Sequence, residues 1–277
     1  MKPADFHYHR PGDVDEAIGL LHELDDAKVM AGGQSLLPIM NMRLAEPAHV
    51  VDVTGIGSMR SCDVDRSGAR YGATTTHMMF EDELVPDVAS GLLGRAAAGI
   101  GYRAIRTRGT VGGSLAHSDS SAEWPTIMSA LDAVVHVVSV RGARRIPVRE
   151  LLLGFFSTAL EPDELIVAVE VPRLGPDTRW GLYKMARKPG EFAESLAVAL
   201  VRPVGVELWL GAALATPTRL GHAEELVTGR SPTEVELAEL VHAVLADTGV
   251  GGHPGQLHAV AVHRAMRAST PGGTPDA

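Results

Sequence analysis

Cysteine is nearly absent from these 277 residues, with Cys62 the only one. A single thiol excludes an internal disulfide, a thiolate cage for an iron–sulfur cluster and a paired-cysteine zinc site. Aromatic residues make up only 4% of the chain, and there are four lysines. No uninterrupted apolar run reaches the roughly 18 residues of a membrane-spanning helix. The start, Met1-Lys-Pro-Ala-Asp5, has no apolar signal core. A soluble, cytoplasmic chain without a transmembrane segment is expected. The net charge of −9, from 34 acidic and 25 basic residues, disfavours nucleic acid or an anionic membrane as partner. Redox or metal chemistry would need an organic cofactor or another chain.

The periodicity predicts a mixed α/β and α+β chain in three units. Asp13 and Glu16 form a D-x-x-E capping box before Val14, Ala17, Ile18, Leu21 and Leu24, which share one helical face. A strand at 28–31, a glycine turn and a strand at 49–54 complete a small βαβ-like unit over 1–57. A second unit, 58–172, reads as a strand at 69–74, a helix from Thr76 to Leu84 and a small-residue helix near 89–100. It continues with a helix at 123–131, β-runs at 133–140 and 145–148, and a closing strand at 164–171. After a linker at 173–178, the third unit, 173–268, shows three strand-like runs (180–185, 195–201 and 206–214). Helices follow at 222–227, after the cap Ser231-Pro232-Thr233-Glu234, and at 257–268. The segment 269–277 reads as a disordered tail.

Two Gly-Gly steps each follow an apolar run and precede small polar residues: Ala31-Gly32-Gly33-Gln34-Ser35 and Thr110-Val111-Gly112-Gly113-Ser114. Glycine permits close backbone approach and positive φ. Successive N–H groups in such turns form a nest for phosphate. Two nests in adjacent units suit a pyrophosphate, and backbone donors remain available to an acidic, lysine-poor chain. Each pair taken alone reads more readily as only a tight turn. Neither fits the glycine fingerprint of a Rossmann site or a P-loop.

Longer strings are more specific. Lys28-Val-Met-Ala-Gly-Gly-Gln-Ser-Leu-Leu-Pro38 with Asn41-Met-Arg-Leu44 resembles the first FAD loop of the medium, flavin-binding subunits of molybdenum hydroxylases, the xanthine dehydrogenase and carbon monoxide dehydrogenase type. The stretch 110–125 resembles their second loop, and Lys184-Met-Ala-Arg-Lys-Pro-Gly-Glu-Phe-Ala193 a third motif. The similarity is collinear through 211–220. It implies a two-lobed PCMH-type FAD-binding domain (1–57 and 58–172) followed by an α+β C-terminal domain with a three-stranded sheet plus helices. Val29, Met30, Ala31, Gly32, Gly33, Gln34, Ser35 and Leu36 would wrap the ADP side and pyrophosphate. Thr110, Gly112, Gly113 and Ser114 would hold the other side, with His117 and Glu123 directed at phosphate or ribityl. Ile100 and Gly101 would line the flavin and Ile166 would form an apolar wall. Lys184 would be the cation near the flavin's polar edge, with Phe192 beside the isoalloxazine. Ser120, Glu191 and Phe192 depart from the usual Pro, Asp and Tyr or Trp.

The resemblance also implies partners. Electrons would arrive from a small 2Fe–2S subunit fed by a large molybdopterin subunit and leave to an external acceptor, in a dimer of heterotrimers. The chain itself would carry no catalytic residue and no metal. A competing reading is a nucleotide-binding regulatory or assembly module that keeps the fold without redox-active flavin.

Other constellations read as structural. Ser114, His117 and Asp119 are too close on one loop to converge as a hydrolase triad, and no nucleophile elbow is present. His253, His258 and His263, five apart, splay on a helix and read as solvated or capping side chains. Alternation puts His7 and His9 on one face of an extended segment without a third ligand. Arg103, Arg106 and Arg108 read equally as a solvated turn or as electrostatic support for a diphosphate or an acidic partner. Methionines 40, 42, 78 and 79 read as core filling.

Overall fold

The computed structural model describes residues 1–231 and 234–270. Its first part contains β1 (His7–His9), α1 (Val14–Glu23), β2 (Ala27–Met30), α2 (Leu36–Asn41) and β3 (His49–Asp52). The strands form a parallel sheet in the order β1-β3-β2. Asp13 caps α1, its carboxylate accepting from the Glu16 N–H at 2.9 Å, and Ala17 and Leu21 are buried.

A five-stranded antiparallel sheet follows, in the order β4-β5-β10-β6-β7. Its strands are β4 (Cys62–Val64), β5 (Gly68–Gly72), β6 (Val134–Ser139), β7 (Gly142–Pro147) and β10 (Leu165–Pro172). Between them lie α3 (His77–Glu81), α4 (Leu92–Ala98), α5 (Arg103–Arg106), α6 (Val111–His117), α7 (Glu123–Ala130) and α8 (Val148–Leu151), and then the hairpin β8 (Leu152–Gly154) and β9 (Ser157–Thr158). The helix expected to reach Leu84 stops at Glu81, and the Thr76 side chain makes no capping bond.

The third sheet has four strands rather than the expected three: β11 (Arg179–Met185), β12 (Ser195–Arg202), β13 (Gly205–Gly211) and the two-residue β14 (Thr218–Arg219). The helices α9 (Gly221–Val227), α10 (Leu237–Thr248) and α11 (Gly252–Ala268) complete the chain. α10 starts at Leu237 on a Glu236–Glu239 capping box, not at the Ser-Pro signal. Pro232 and Thr233 of that signal, and 271–277 of the expected tail, lie outside the described residues.

β12 is apolar on both faces because both are covered. Leu196, Val198 and Leu200 join the large core that includes Trp124 and Ile127 of α7, while Ala197 and Ala199 join Val262 and Ala265 of α11 in a second core. A strand buried this way reads as a continuous hydrophobic run rather than an alternating one. His258 of α11 is buried here as well, its Nδ1 2.9 Å from Ser195 Oγ, so it is neither solvated nor a cap. Met40 is buried, but Met42 is exposed rather than in the core. Among the described residues, no helix is long and apolar enough to cross a membrane.

α11 meets β11 through Gly181, where an added Cβ would stand 1.8 Å from the Ala265 carbonyl oxygen. Gly181→Val should therefore destabilise the chain by about 3 kcal/mol, read as a lower denaturant midpoint. An unchanged midpoint would show that the helix is not held at this distance.

Candidate functional site

The first glycine loop leaves β2 at Met30 and enters α2 at Leu36. Gly32 fits because an added Cβ would lie 2.1 Å from the Arg108 carbonyl oxygen and 2.8 Å from Gly109 Cα. Gly33 takes φ +71°, which L side chains rarely adopt. The Gln34 amide folds back to the Gly32 carbonyl at 3.0 Å. Among the described residues, no protein acceptor takes the backbone N–H of Gly32, Gly33, Gln34, Ser35 or Leu36, and Gly32 itself is buried. Gly32 is the buried member of the run and Gln34 is exposed, and these unpaired donors leading into a helix are open to an acceptor from outside the chain.

The second loop differs from the nest expected of it. Val111 N–H donates to Thr75 O and Gly112 N–H to Ala73 O, both at 3.0 Å. Gly113 N–H donates to the capping Thr110 Oγ1 at 3.1 Å and Ser114 N–H to Thr110 O at 3.0 Å. These amides are committed to α6 and to the turn after β5, so this loop offers side chains and shape instead. It nonetheless adjoins the first loop, since an added Cβ on Gly113 would lie 3.6 Å from Ala31 Cβ.

His77 supports this second loop from beneath. Its N–H donates to Gly109 O at 3.0 Å, and its Nδ1 accepts the Trp124 indole N–H at 2.9 Å. Burial, aided by the Arg106 charge, pushes the His77 ring down to about 3. Ser114 and His117 are half-buried on α6, and the His117 ring lies 5.0 Å from that of Phe156. Burial also lowers His117, against the pull of Asp119. The hairpin carrying Phe156 escaped the sequence reading. Ser118 pins it, its hydroxyl placed 3.0 Å from Gly154 O and 3.1 Å from Ser157 O.

Across the seam with the third sheet, Lys184 Nζ lies 2.6 Å from Glu123 Oε1 and 3.0 Å from Gly99 O. Lys184 is thus a neutralised cation and Glu123 is turned to an ammonium, where free groups facing flavin and phosphate were expected. Burial pushes the Glu123 carboxyl up, and Lys184 opposes it. A cavity of about 90 Å³ beside the pair is lined by Arg95, Gly99 and Leu182.

Ile100 packs half-buried on the core, and Gly101 turns at φ +48°. Arg106 holds both of their carbonyls, at 3.1 and 2.8 Å. Arg106 and Arg103 also pair with Glu81, and Arg103 with Asp82, so these two guanidinium groups are spent on α3 rather than on a ligand. Ile166 is buried in the large core beside a bulge in β10, not on an open wall. Phe192 is 61% exposed. His7 and His9 do meet a third imidazole: His49 stacks on His7 and lies 3.0 Å from His9 Nε2. Among the described residues, however, no group of three or more His, Cys, Asp or Glu is arranged to hold a metal.

His77 gives the loop a pH signature. Its folded value lies below the ordinary one of about 6.5, so its contribution is complete above that pH and is lost as pH falls towards 3. Each pH unit in that window should remove up to about 1.4 kcal/mol. His77→Asn keeps an acceptor for Trp124 without a titrating ring. The stability difference between wild type and this variant should fall on acidification, and a pH-independent difference would refute the neutral-ring assignment.

Comparisons with known proteins give the chain a family. A family described as the FAD binding domain in molybdopterin dehydrogenase matches residues 4–174. The nicotine 6-hydroxylase medium subunit of Paenarthrobacter nicotinovorans is 37% identical over 86% of this chain and 86% of its own. The carbon monoxide dehydrogenase medium chain of Hydrogenophaga pseudoflava is 34% identical over 74% of this chain and 72% of its own. A solved carbon monoxide dehydrogenase structure from H. pseudoflava superposes with a TM-score of 0.90 at 30% identity, covering 97% of this chain and 98% of that one. Quinoline 2-oxidoreductase from Pseudomonas putida 86 gives 0.87 at 28% identity, covering 97% and 98%. The chain belongs to the FAD-binding medium subunits of the molybdenum hydroxylases and is an oxidoreductase subunit.

Proposed function

We propose that this chain is the cytoplasmic electron-transfer subunit of a molybdopterin, 2Fe–2S and FAD dehydrogenase. A small 2Fe–2S subunit delivers electrons from a large molybdopterin subunit, and the flavin passes them to an external acceptor. The assembly is a dimer of heterotrimers, and the chain divides into lobes 1–57 and 58–172 and a C-terminal domain, 173–268. One observation carries the reading: among the described residues, five consecutive amides, 32–36, have no protein acceptor beside a second loop that closes against them.

The donor set fits a diphosphate, because neutral N–H groups bind phosphate oxygens without surrendering a side-chain charge. In this reading Gly32, Gly33, Gln34, Ser35 and Leu36 hold the pyrophosphate, with Val29, Met30 and Ala31 flanking the ADP. The second loop, Thr110 to Ser114, contributes the Ser114 hydroxyl and a fitted surface through Gly112 and Gly113. His117 kept neutral by burial gives a hydrogen-bonding edge without a fixed charge. Glu123 and Lys184 present a paired, near-neutral edge to the flavin, and Ile100, Gly101 and Phe192 supply its apolar surroundings, with Ile166 in the core behind them. Bound FAD would supply the capacity to collect electrons one at a time and to pass them on singly or as a pair. The medium and FAD-subunit names of the relatives support a multi-subunit assembly.

Affinity purification of the chain from its native cells tests this. FAD should co-purify with it, together with a cysteine-rich small chain and a large chain identified by mass spectrometry. Gly33→Val should lose the flavin while staying folded. A folded, colourless, nucleotide-free wild-type chain would contradict the proposal and favour the regulatory reading.

A further inference from the structure

A second cavity shares no residue with the glycine loops. It encloses about 270 Å³ between the end of α7, the start of β8 and the β13–β14 pair. Arg149 lies over the Trp209 ring, its guanidinium 4.4 Å from the ring centroid. Arg219 is the direct cross-strand partner of Trp209, so both arginines neighbour the same indole and line the same cavity. Leu152 and Pro217 supply apolar wall, and no carboxylate lines the space.

The hydrogen-bonding inventory is lopsided towards donors. Trp209 is 4% exposed, and its Nε1 has no partner among the described residues. The other two indoles are satisfied, Trp124 by His77 and Trp180 by the Ser90 carbonyl at 2.9 Å. Arg149 spends Nε on Ser129 O and Nη2 on Asp132. Arg219 spends Nε and Nη2 on Glu224. Among the described residues, Nη1 of each arginine has no protein partner. The buried indole N–H, together with two partly exposed guanidinium groups lining the same cavity, suits a ligand rich in acceptors.

We propose that this cavity binds a small oxyanion, a carboxylate or phosphate, with an apolar or planar body resting against Leu152 and Pro217. The two Nη1 groups take the anion, and the indole N–H takes one of its oxygens. Acceptor strength comes from charge-assisted bonds, which are roughly twice as strong as neutral ones. Arg149 is already stacked on the indole, so the cationic wall is preorganised. The site is independent of flavin, and its failure would leave the cofactor reading untouched.

Indole N–H resonances of the uniformly 15N-labelled full chain test this directly. Trp209→Phe identifies the Trp209 signal. Titration with benzoate or inorganic phosphate should move that signal saturably and leave those of Trp124 and Trp180 in place. Response to benzoate alone assigns a carboxylate headgroup, and response to phosphate alone a phosphate. Arg149→Gln and Arg219→Gln should each weaken binding about tenfold. If one variant fails to fold, the other, with calorimetry of benzoate on Trp209→Phe, decides. No movement with either anion, equal movement with neutral benzamide, or undiminished binding in the folded arginine variants would overturn the proposal.

Discussion

Where a Cβ of residue 32 would stand, the carbonyl of Arg108 already stands, 2.1 Å away. That contact sets the distance between the two glycine loops. One loop grows from a parallel sheet and the other from a helix capped by Thr110, and a methyl group at position 32 would force them apart. Once they are close, the second loop has spent its amides on Ala73 and Thr75, whereas the first keeps its own free. The asymmetry follows from the neighbours: α6 docks against the turn after β5, while the turn after β2 docks through a glycine that leaves its N–H groups unengaged.

Two buried polar contacts hold the surroundings of these loops. His77, between Gly109 and Trp124, is uncharged because burial makes protonation costly. Glu123 and Lys184 couple the start of α7, the end of α4 and the third sheet. Removing either partner would leave a buried charge alone, which is costlier than the intact pair is stabilising. The flavin side of the proposed site is therefore a neutral, prearranged surface rather than a cluster of free cations. This agrees with a chain that has only four lysines.

Much of this was legible in the residues. The continuous apolar run of β12 announces a strand, and the Asp13–Glu16 pair announces α1. The two Gly-Gly strings, with 184–193, announce the family. Other features depend on partners far along the chain. Which amides remain free depends on carbonyls at 73 and 75, and the fate of Lys184 depends on Glu123, 61 positions away. β1 and β14 are too short to show a period. The two central residues of the hairpin turn, Phe155 and Phe156, are not turn formers, and Phe156 takes a positive φ that its type does not advertise. The Ser231–Glu234 signal closes local bonds, the Ser231 N–H to the Glu234 carboxylate at 2.7 Å and the Glu234 N–H to Ser231 O at 2.9 Å, and α10 begins beyond it.

The central claim is that one loop, and not the other, offers its backbone to the cofactor. Residue-resolved amide hydrogen exchange of the full chain, with and without FAD, tests it most directly. The account predicts strong new protection at Gly32, Gly33, Gln34, Ser35 and Leu36, and little change at Val111, Gly112, Gly113 and Ser114, whose hydrogen bonds are already made. New protection confined to the second loop, or absent from both, would contradict it.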